Sequence, residues 1–282
     1  MKVKHRFNKF DIKTMAPMEK IGILATRNPG GQPHITFINS LMAADETTMT
    51  LGQFVRGNSK YHLQNYPEAA FFILCPRTRK TWTGKITWTG KKDQGPELDA
   101  YKEMPIQRYN SYFPIHRVHY FDLKDTSEAT PLPLVKIAGS AVMTGILGRL
   151  APKNRVQVLN HYGRNLLAGP TTLKFLSFAG KDGYPVLIPL VSCMTAGSKR
   201  LVFPARTLDG LPDRIENGMD MAVFALKTSL ESVLVRGKFI GVKQVLGIRT
   251  GMIDLDWVYN SMPPNAGQIY PETPLDPVTS FE

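Results

Sequence analysis

The chain repeats itself. Ile23–Ala44 (ILATRNPGGQPHITFINSLMAA) lies over Phe175–Ala196 (FLSFAGKDGYPVLIPLVSCMTA), and six of 22 aligned pairs are identical: Leu24/Leu176, Gly31/Gly183, Pro33/Pro185, Ser40/Ser192, Met42/Met194 and Ala44/Ala196. Unrelated segments of ordinary composition share roughly one or two. The alignment continues through Asn65/Asn217, Ala70/Ala222 and Phe72/Phe224, and after one inserted residue it brings Gly84-Lys85 onto Gly237-Lys238. A repeat of that length is a domain. The 282 residues are therefore read as two domains, 1–145 and 146–282, each long enough to bury its own core.

Each copy opens with an apolar run, a Gly/Pro/Asp turn and a second run. These are 21–25, 28–32 and 33–41 in the first copy, and 173–178, 180–184 and 185–194 in the second, which is a hairpin pattern. Further strands are predicted at 48–54 and 200–204, at 69–75 and 221–226, and at 80–89 and 231–242. Short strands at near-regular spacing with one short helix, 59–65 capped by Asn58 or Ser59 and followed by Pro67, describe a barrel and not alternating βαβ units. A helix over 152–167 is predicted to join the copies. Residues 91–104 read as a loop leading into a helix and 116–123 as a strand. The proline-rich tail from Asn260 reads as extended and lying over a neighbour. The fold class is thus mainly β (α+β): two tandem barrels related by internal duplication.

No stretch of 18 or more residues is apolar enough to span a bilayer as a helix, and the N-terminal MKVKHRFNKFDIKTMAP has no apolar signal core, so a cytoplasmic protein is expected. Lys and Arg exceed Asp and Glu by 35 to 23, for a net charge of +12. That surplus suits anionic ligands, but the basic residues are scattered and carry no RNA-binding signature. Cys75 and Cys193 sit in dissimilar contexts and read as buried thiols, with no metal-site or disulfide spacing. His116 and His119, three apart in a strand, face opposite sides and read as surface or interface histidines. His34 and His62 likewise read as surface residues beside the site proposed below, while Trp82 and Trp88 read as core or interface aromatics on one strand face. No hydrolase triad, phosphate loop or carboxylate pair is present, so no catalytic residue is named.

The local chemistry that stands out is LGQFVRGNSKYHLQNYP, Leu51–Pro67. A strand ends, a loop carries Arg56, Gly57 and Asn58, and a helix starts at Ser59-Lys60. Amide groups at a helix start with a hydroxyl and an ammonium suit a phosphate monoester; an ordinary helix with a solvated lysine is the plain alternative.

This order of elements resembles the FMN-binding split barrel of the pyridoxamine 5′-phosphate oxidase-like superfamily. The resemblance is carried by Leu24-Ala25-Thr26, Gly31-Gln32-Pro33 and 34–39, then by Ser59-Lys60, Leu63, Asn65 and Pro67, and by Gly84-Lys85. It implies two split β-barrels and an FMN whose phosphate is gripped by Ser59 and Lys60, helped by Asn58 and Arg56. Its ring would lie against Asn39 and Ser40, with Gln53 nearby. It also implies a flavin-dependent oxidoreductase acting on an unknown small-molecule redox substrate. Deazaflavin and haem are alternative cofactors. The second copy places Gly210-Leu211-Pro212 where the first has Asn58-Ser59-Lys60, so one FMN per chain is expected. Aromatic residues beyond the needs of one buried face point to a homodimer. The competing readings are a non-catalytic flavin- or haem-binding protein and a basic module that has lost its cofactor and binds nucleic acid or an acidic partner.

Overall fold

The computed structural model of the chain describes residues 3–54, 57–105, 107, 114–131, 148–152, 156–190, 192–211, 215–227, 229–260 and 267–274. By contacts the chain divides into two compact units: residues 1–132 with Asp182–Leu187, and 133–181 with 188–282.

The first sheet is built from β1 (Val3–Lys4), β2 (Ile21–Arg27), β3 (Pro33–Phe37), β4 (Met42–Ala43), β5 (Thr48–Gln53), β6 (Glu68–Cys75), β7 (Lys80–Lys92), β8 (Arg117–Ser127) and β9 (Thr130–Pro131). Helices α1 (Lys9–Met15), α2 (Asn58–Asn65) and α3 (Pro96–Glu103) accompany it. Helix α4 (His161–Ala168) precedes the second sheet. That sheet comprises β10 (Leu173–Ala179), β11 (Pro185–Pro189), β12 (Met194–Ala196), β13 (Arg200–Pro204), β14 (Asp220–Leu226), β15 (Ser232–Val245), β16 (Ile248–Asn260) and β17 (Gly267–Tyr270).

The strand orders are β3-β2-β6-β7-β8-β5-β4 and β11-β10-β14-β15-β16-β13-β12. Each strand of the first order is replaced in the second by its repeat, so the protein is two tandem split β-barrels. The turns repeat as well: Gly31 and Gly183, identical in the alignment, both sit at positive φ, 79° and 87°, where any other residue is strained. Beyond them the expected strands 33–41 and 185–194 are each broken at the same place. The Ile38 amide donates to Gly22 O and the Leu190 amide to Lys174 O, both at 2.7 Å, which turns the chain away from the hairpin.

Register corrects one step of the alignment. Phe72 pairs with Thr83 and Phe224 with Leu234, so Lys85 corresponds to Arg236 and not to Lys238. The second copy has lost a residue in the preceding turn instead of gaining one. Irregularities fall at Lys85/Ile86 and Trp88/Gly90 in the first sheet and at Arg236/Gly237 and Phe239/Gly241 in the second, the same two steps. In the following strand the Leu123 amide bonds Thr47 O and the Leu255 amide bonds Lys199 O, both at 2.7 Å. Arg117 and His119 therefore correspond to Arg249 and Gly251.

Met49, Leu51, Leu63, Phe71, Trp82, Ile86 and Phe121 centre the first core, and Trp88 packs against it with Trp82. Within it Asp11 is fully buried. It closes a capping box with Asn8 at the start of α1, accepts from Trp82 Nε1 at 3.0 Å and lies 3.6 Å from Lys4 Nζ. The cysteines are free and buried.

The connecting helix is shorter than expected. Asn160 Oδ1 accepts from the Gly163 amide at 2.8 Å and starts α4 there, while residues 156–160 are not helical and 153–155 lie outside the described residues. A side chain that satisfies the first-turn amides fixes the start of a helix more firmly than propensity does. Strand β17 of the tail pairs with β16. No helix among the described residues is long and apolar enough to cross a membrane.

Candidate functional site

Strand β5 ends at Gln53, and α2 begins at Asn58. Gly57, extended at φ −141°, is its N-cap and offers no side-chain bond, which corrects the expected cap at Asn58 or Ser59. The helix start is thereby left without a local carboxylate or hydroxyl partner. Ser59, 0% exposed, turns inward, and its Oγ has no hydrogen-bond partner. A buried hydroxyl left unpaired costs about 1–3 kcal/mol, so its retention calls for an explanation.

Lys60 is partly buried and folds back over Gly57, its Nζ 3.5 Å from where a Cβ at Gly57 would stand. Desolvation pulls its pKa from 10.5 to about 8. Among the described residues it has no ion-pair partner. Asn58, beside it, is exposed. Arg56 lies outside the described residues.

The helix is held on the sheet by Leu63 and His62. His62 Nδ1 lies 3.2 Å from Thr26 Oγ1, and its ring meets that of His34 edge-on with centroids 4.8 Å apart. His34 and His62 are 4% and 6% exposed, so the surface reading of both is overturned: together they fix α2 on β2 and β3.

Ser40 Oγ donates to Gly52 O at 2.8 Å, and Ser40 O accepts from Tyr101 Oη at 2.8 Å, so this serine is committed to the sheet. The same bond brings Asn39 beside the end of β5. Asn39 Oδ1 is buried without a partner.

Gln53 is buried and its Oε1 lies 2.7 Å from His119 Nε2. His119, 1% exposed, is a core residue and not the surface group its sequence suggested. Register explains why: it lies opposite Leu51, on the face that fills the barrel. Alternation with Phe121 two residues on was the signal that could have found it. Its pKa falls to about 3, first through desolvation and then through the charges of Lys60, Lys91, Arg117 and His116. The ring is neutral, Nε2–H donates to Gln53, and Nδ1 remains an acceptor without a partner. The Trp88 ring lies 6.2 Å away, with its Nε1 also unpaired. His116 is exposed. No group of three or more potential metal ligands is found among the described residues.

Of the expected set the structure brings Gln53 onto His119 and Lys60 close enough for its charge to act on that ring, with Trp88 beside it; Ser59 is the neighbour of Lys60 on α2, and Asn39 precedes Ser40. These residues carry unpaired acceptors on Asn39 and His119, an unpaired hydroxyl on Ser59 and a desolvated cation on Lys60.

No family model matches the sequence, and no curated protein matches it. Several solved structures are similar to this chain in fold. An FMN-binding protein from Syntrophomonas wolfei has 12% identity over 43% of this chain and 84% of its own, with a TM-score of 0.35. HupZ from Group A Streptococcus has 14% identity over 45% and 99%, with a TM-score of 0.36. An F420 reductase has 12% identity over 43% and 98%, with a TM-score of 0.33. Identities and scores of this size carry no argument about ligand or activity.

Proposed function

We propose that the protein is an FMN-binding flavoprotein that serves as an oxidoreductase for a small-molecule substrate. The observation that carries this reading is the pairing of a desolvated Lys60 ammonium having no described counter-ion with the orphaned Ser59 hydroxyl at the start of α2. An isolated buried cation is costly, and a phosphate monoester relieves that cost while accepting from both groups. Ser59 and Lys60 would hold the phosphate, helped by Asn58 and Arg56. Asn39 Oδ1 would accept from a ring N–H, and Gln53 would be steadied by His119. When bound, FMN supplies hydride or electron transfer, and the protein's part is to bind, orient and desolvate it.

The second unit has Gly210-Leu211 at the corresponding place, so flavin released by heat should approach one per chain. The absorption spectrum of purified protein tests the reading. Flavin bands bleached by NAD(P)H or dithionite and restored by a substrate support it. A deazaflavin spectrum or a haem Soret band replaces the cofactor, and colourless protein that does not take up FMN overturns the reading. A homodimer is the assembly expected; light scattering that gives a mass near 31.5 kDa with flavin bound refutes it.

A further inference from the structure

The second unit holds a cleft at the place where the first unit holds its Gln53–His119–Trp88 cluster. Its walls are Ala205, Leu208, Ile215, Phe239 and Val242, with Arg249 and Asp209 completing a space of about 220 Å³. The correspondence follows from register. Gln53 pairs with Arg117, and Ala205 and Arg249 stand one step beyond the Pro204–Thr250 pair. Trp88 lies opposite Phe121 in the first sheet, as Phe239 lies opposite Ile253 in the second. His119 becomes Gly251. A Cβ there would stand 2.7 Å from the Phe203 ring, so a side chain could return to that position only if that ring moved.

Three polar groups of the first unit are thus replaced by Ala205, Gly251 and Phe239, while the cation at the fourth position, Arg117, is kept as Arg249. Shortening the glutamine to Ala205 opens space, the Phe203 ring lies over the glycine that replaces the histidine, and exchanging tryptophan for phenylalanine removes the indole donor. What remains is an open cleft with apolar side chains in its wall and an exposed guanidinium and carboxylate, Arg249 and Asp209, at its rim. Among the described residues the ion pair of Arg249 is with Asp209, at 3.8 Å between exposed side chains, too long for a hydrogen bond and worth little as an exposed pair. A guanidinium offers a planar fork that a carboxylate meets with two bonds. An apolar cavity of about 150 Å³ admits benzene, so this one has room for a ring or short alkyl chain and a carboxylate. Leu211 stands where the first unit has Ser59 and offers no hydroxyl there.

We propose that this cleft is a second ligand site, separate from the flavin site, that takes a small amphiphilic carboxylate: apolar body against Phe239 and Val242, charge on Arg249. Asp209 acts as the resident competitor for that charge.

Titration of the full chain with benzoate, with benzyl alcohol as the uncharged match, tests this by NMR shifts of Phe239 and Val242. Benzoate should bind at least about fivefold more tightly, the ratio expected of one exposed charge-assisted contact. Arg249→Gln should erase that ratio, and Asp209→Asn should raise benzoate affinity severalfold. Both side chains are exposed, so both variants should fold, with unchanged near-ultraviolet circular dichroism as the control. Equal binding of the two ligands, no shift with benzoate at tens of millimolar, or weaker benzoate binding in Asp209→Asn overturns the proposal. Flavin binding at Lys60 has no part in the readout, so failure here leaves that reading standing and its failure leaves this one.

Discussion

Replacing Lys60 by methionine should stabilise the first unit while removing its grip on phosphate. Lys60 titrates near 8 instead of 10.5 because its ammonium is desolvated. Each unit of pKa is about 1.4 kcal/mol, so the charged form is disfavoured in the folded state by about 3 kcal/mol, or about 2 kcal/mol once the partly exposed side chain is discounted for solvent screening. Methionine keeps the length and drops the charge. The sign follows from proton counting. Below pH 8 both folded and unfolded states carry the proton and the penalty is complete; between 8 and 10.5 only the unfolded state carries it and the penalty fades. Wild type should therefore gain on the variant as pH rises through 8. Urea unfolding of flavin-free protein at about pH 7 and about pH 9.5, followed by tryptophan fluorescence in a Trp257→Phe background, measures both gaps. At neutral pH the variant should be more stable by about 2 kcal/mol and bind FMN more weakly by about 1.5–3 kcal/mol. A variant less stable than wild type at both pH values, or a gap that does not change with pH, would refute the claim that this lysine sits desolvated and unpaired.

Three further outcomes are expected. Ser59→Ala should leave stability unchanged or raise it, since its Oγ has no partner to lose, while weakening FMN by about 1 kcal/mol in fluorescence titration; a clear loss of stability contradicts the orphaned hydroxyl. Asp11→Ala should cost about 3 kcal/mol in denaturant unfolding, because it strands Trp82 Nε1 and opens the capping box of α1; a cost under about 1 kcal/mol would show that the buried network is not formed. His119, depressed to about 3, should stay in its neutral Nε2–H form throughout the near-neutral range in nitrogen NMR, and titration near its usual 6.5 would place the ring in solvent.

Much of the fold can be read locally because the repeat carries its own turn chemistry. Gly31 and Gly183 mark the same hairpin twice, and alternation finds the strands on either side. The last long strand of the second barrel escapes that reading. Its hairpin turns on Leu246-Gly247, with Leu246 at φ 50°, where asparagine or glycine would have announced the turn. The alignment fails at Gly84-Lys85 for a related reason. Identity over two residues is local, whereas the true equivalence of Lys85 with Arg236 is set by pairing with strands far away in sequence. The site divides in the same way: Ser59-Lys60 ahead of a helix is legible, but the burial of His119 exists only once Leu51 lies opposite it.

That dependence on register also accounts for how one duplicated scaffold carries two different sets of side chains at the same positions. The positions of Gln53, Trp88, Arg117 and His119 recur as Ala205, Phe239, Arg249 and Gly251, with both strand irregularities retained between them. The backbone that aims these side chains is therefore the same in both barrels. At these four positions divergence has acted on side-chain volume and polarity. In the first copy a hydrogen-bonded glutamine and histidine fill the barrel end, and Lys60 sits desolvated near that neutral ring. In the second, Ala205 and Gly251 stand at those two positions, Phe239 and Val242 line the cleft, and a 3₁₀ turn, Ala205–Leu208, follows β13. A phosphate site needs convergent donors, and an apolar carboxylate site needs space and one cation. Neither requirement can be met without giving up the other, so the two copies are not interchangeable, and restoring Gln53's counterpart by Ala205→Gln would fill the cleft without creating a second flavin site.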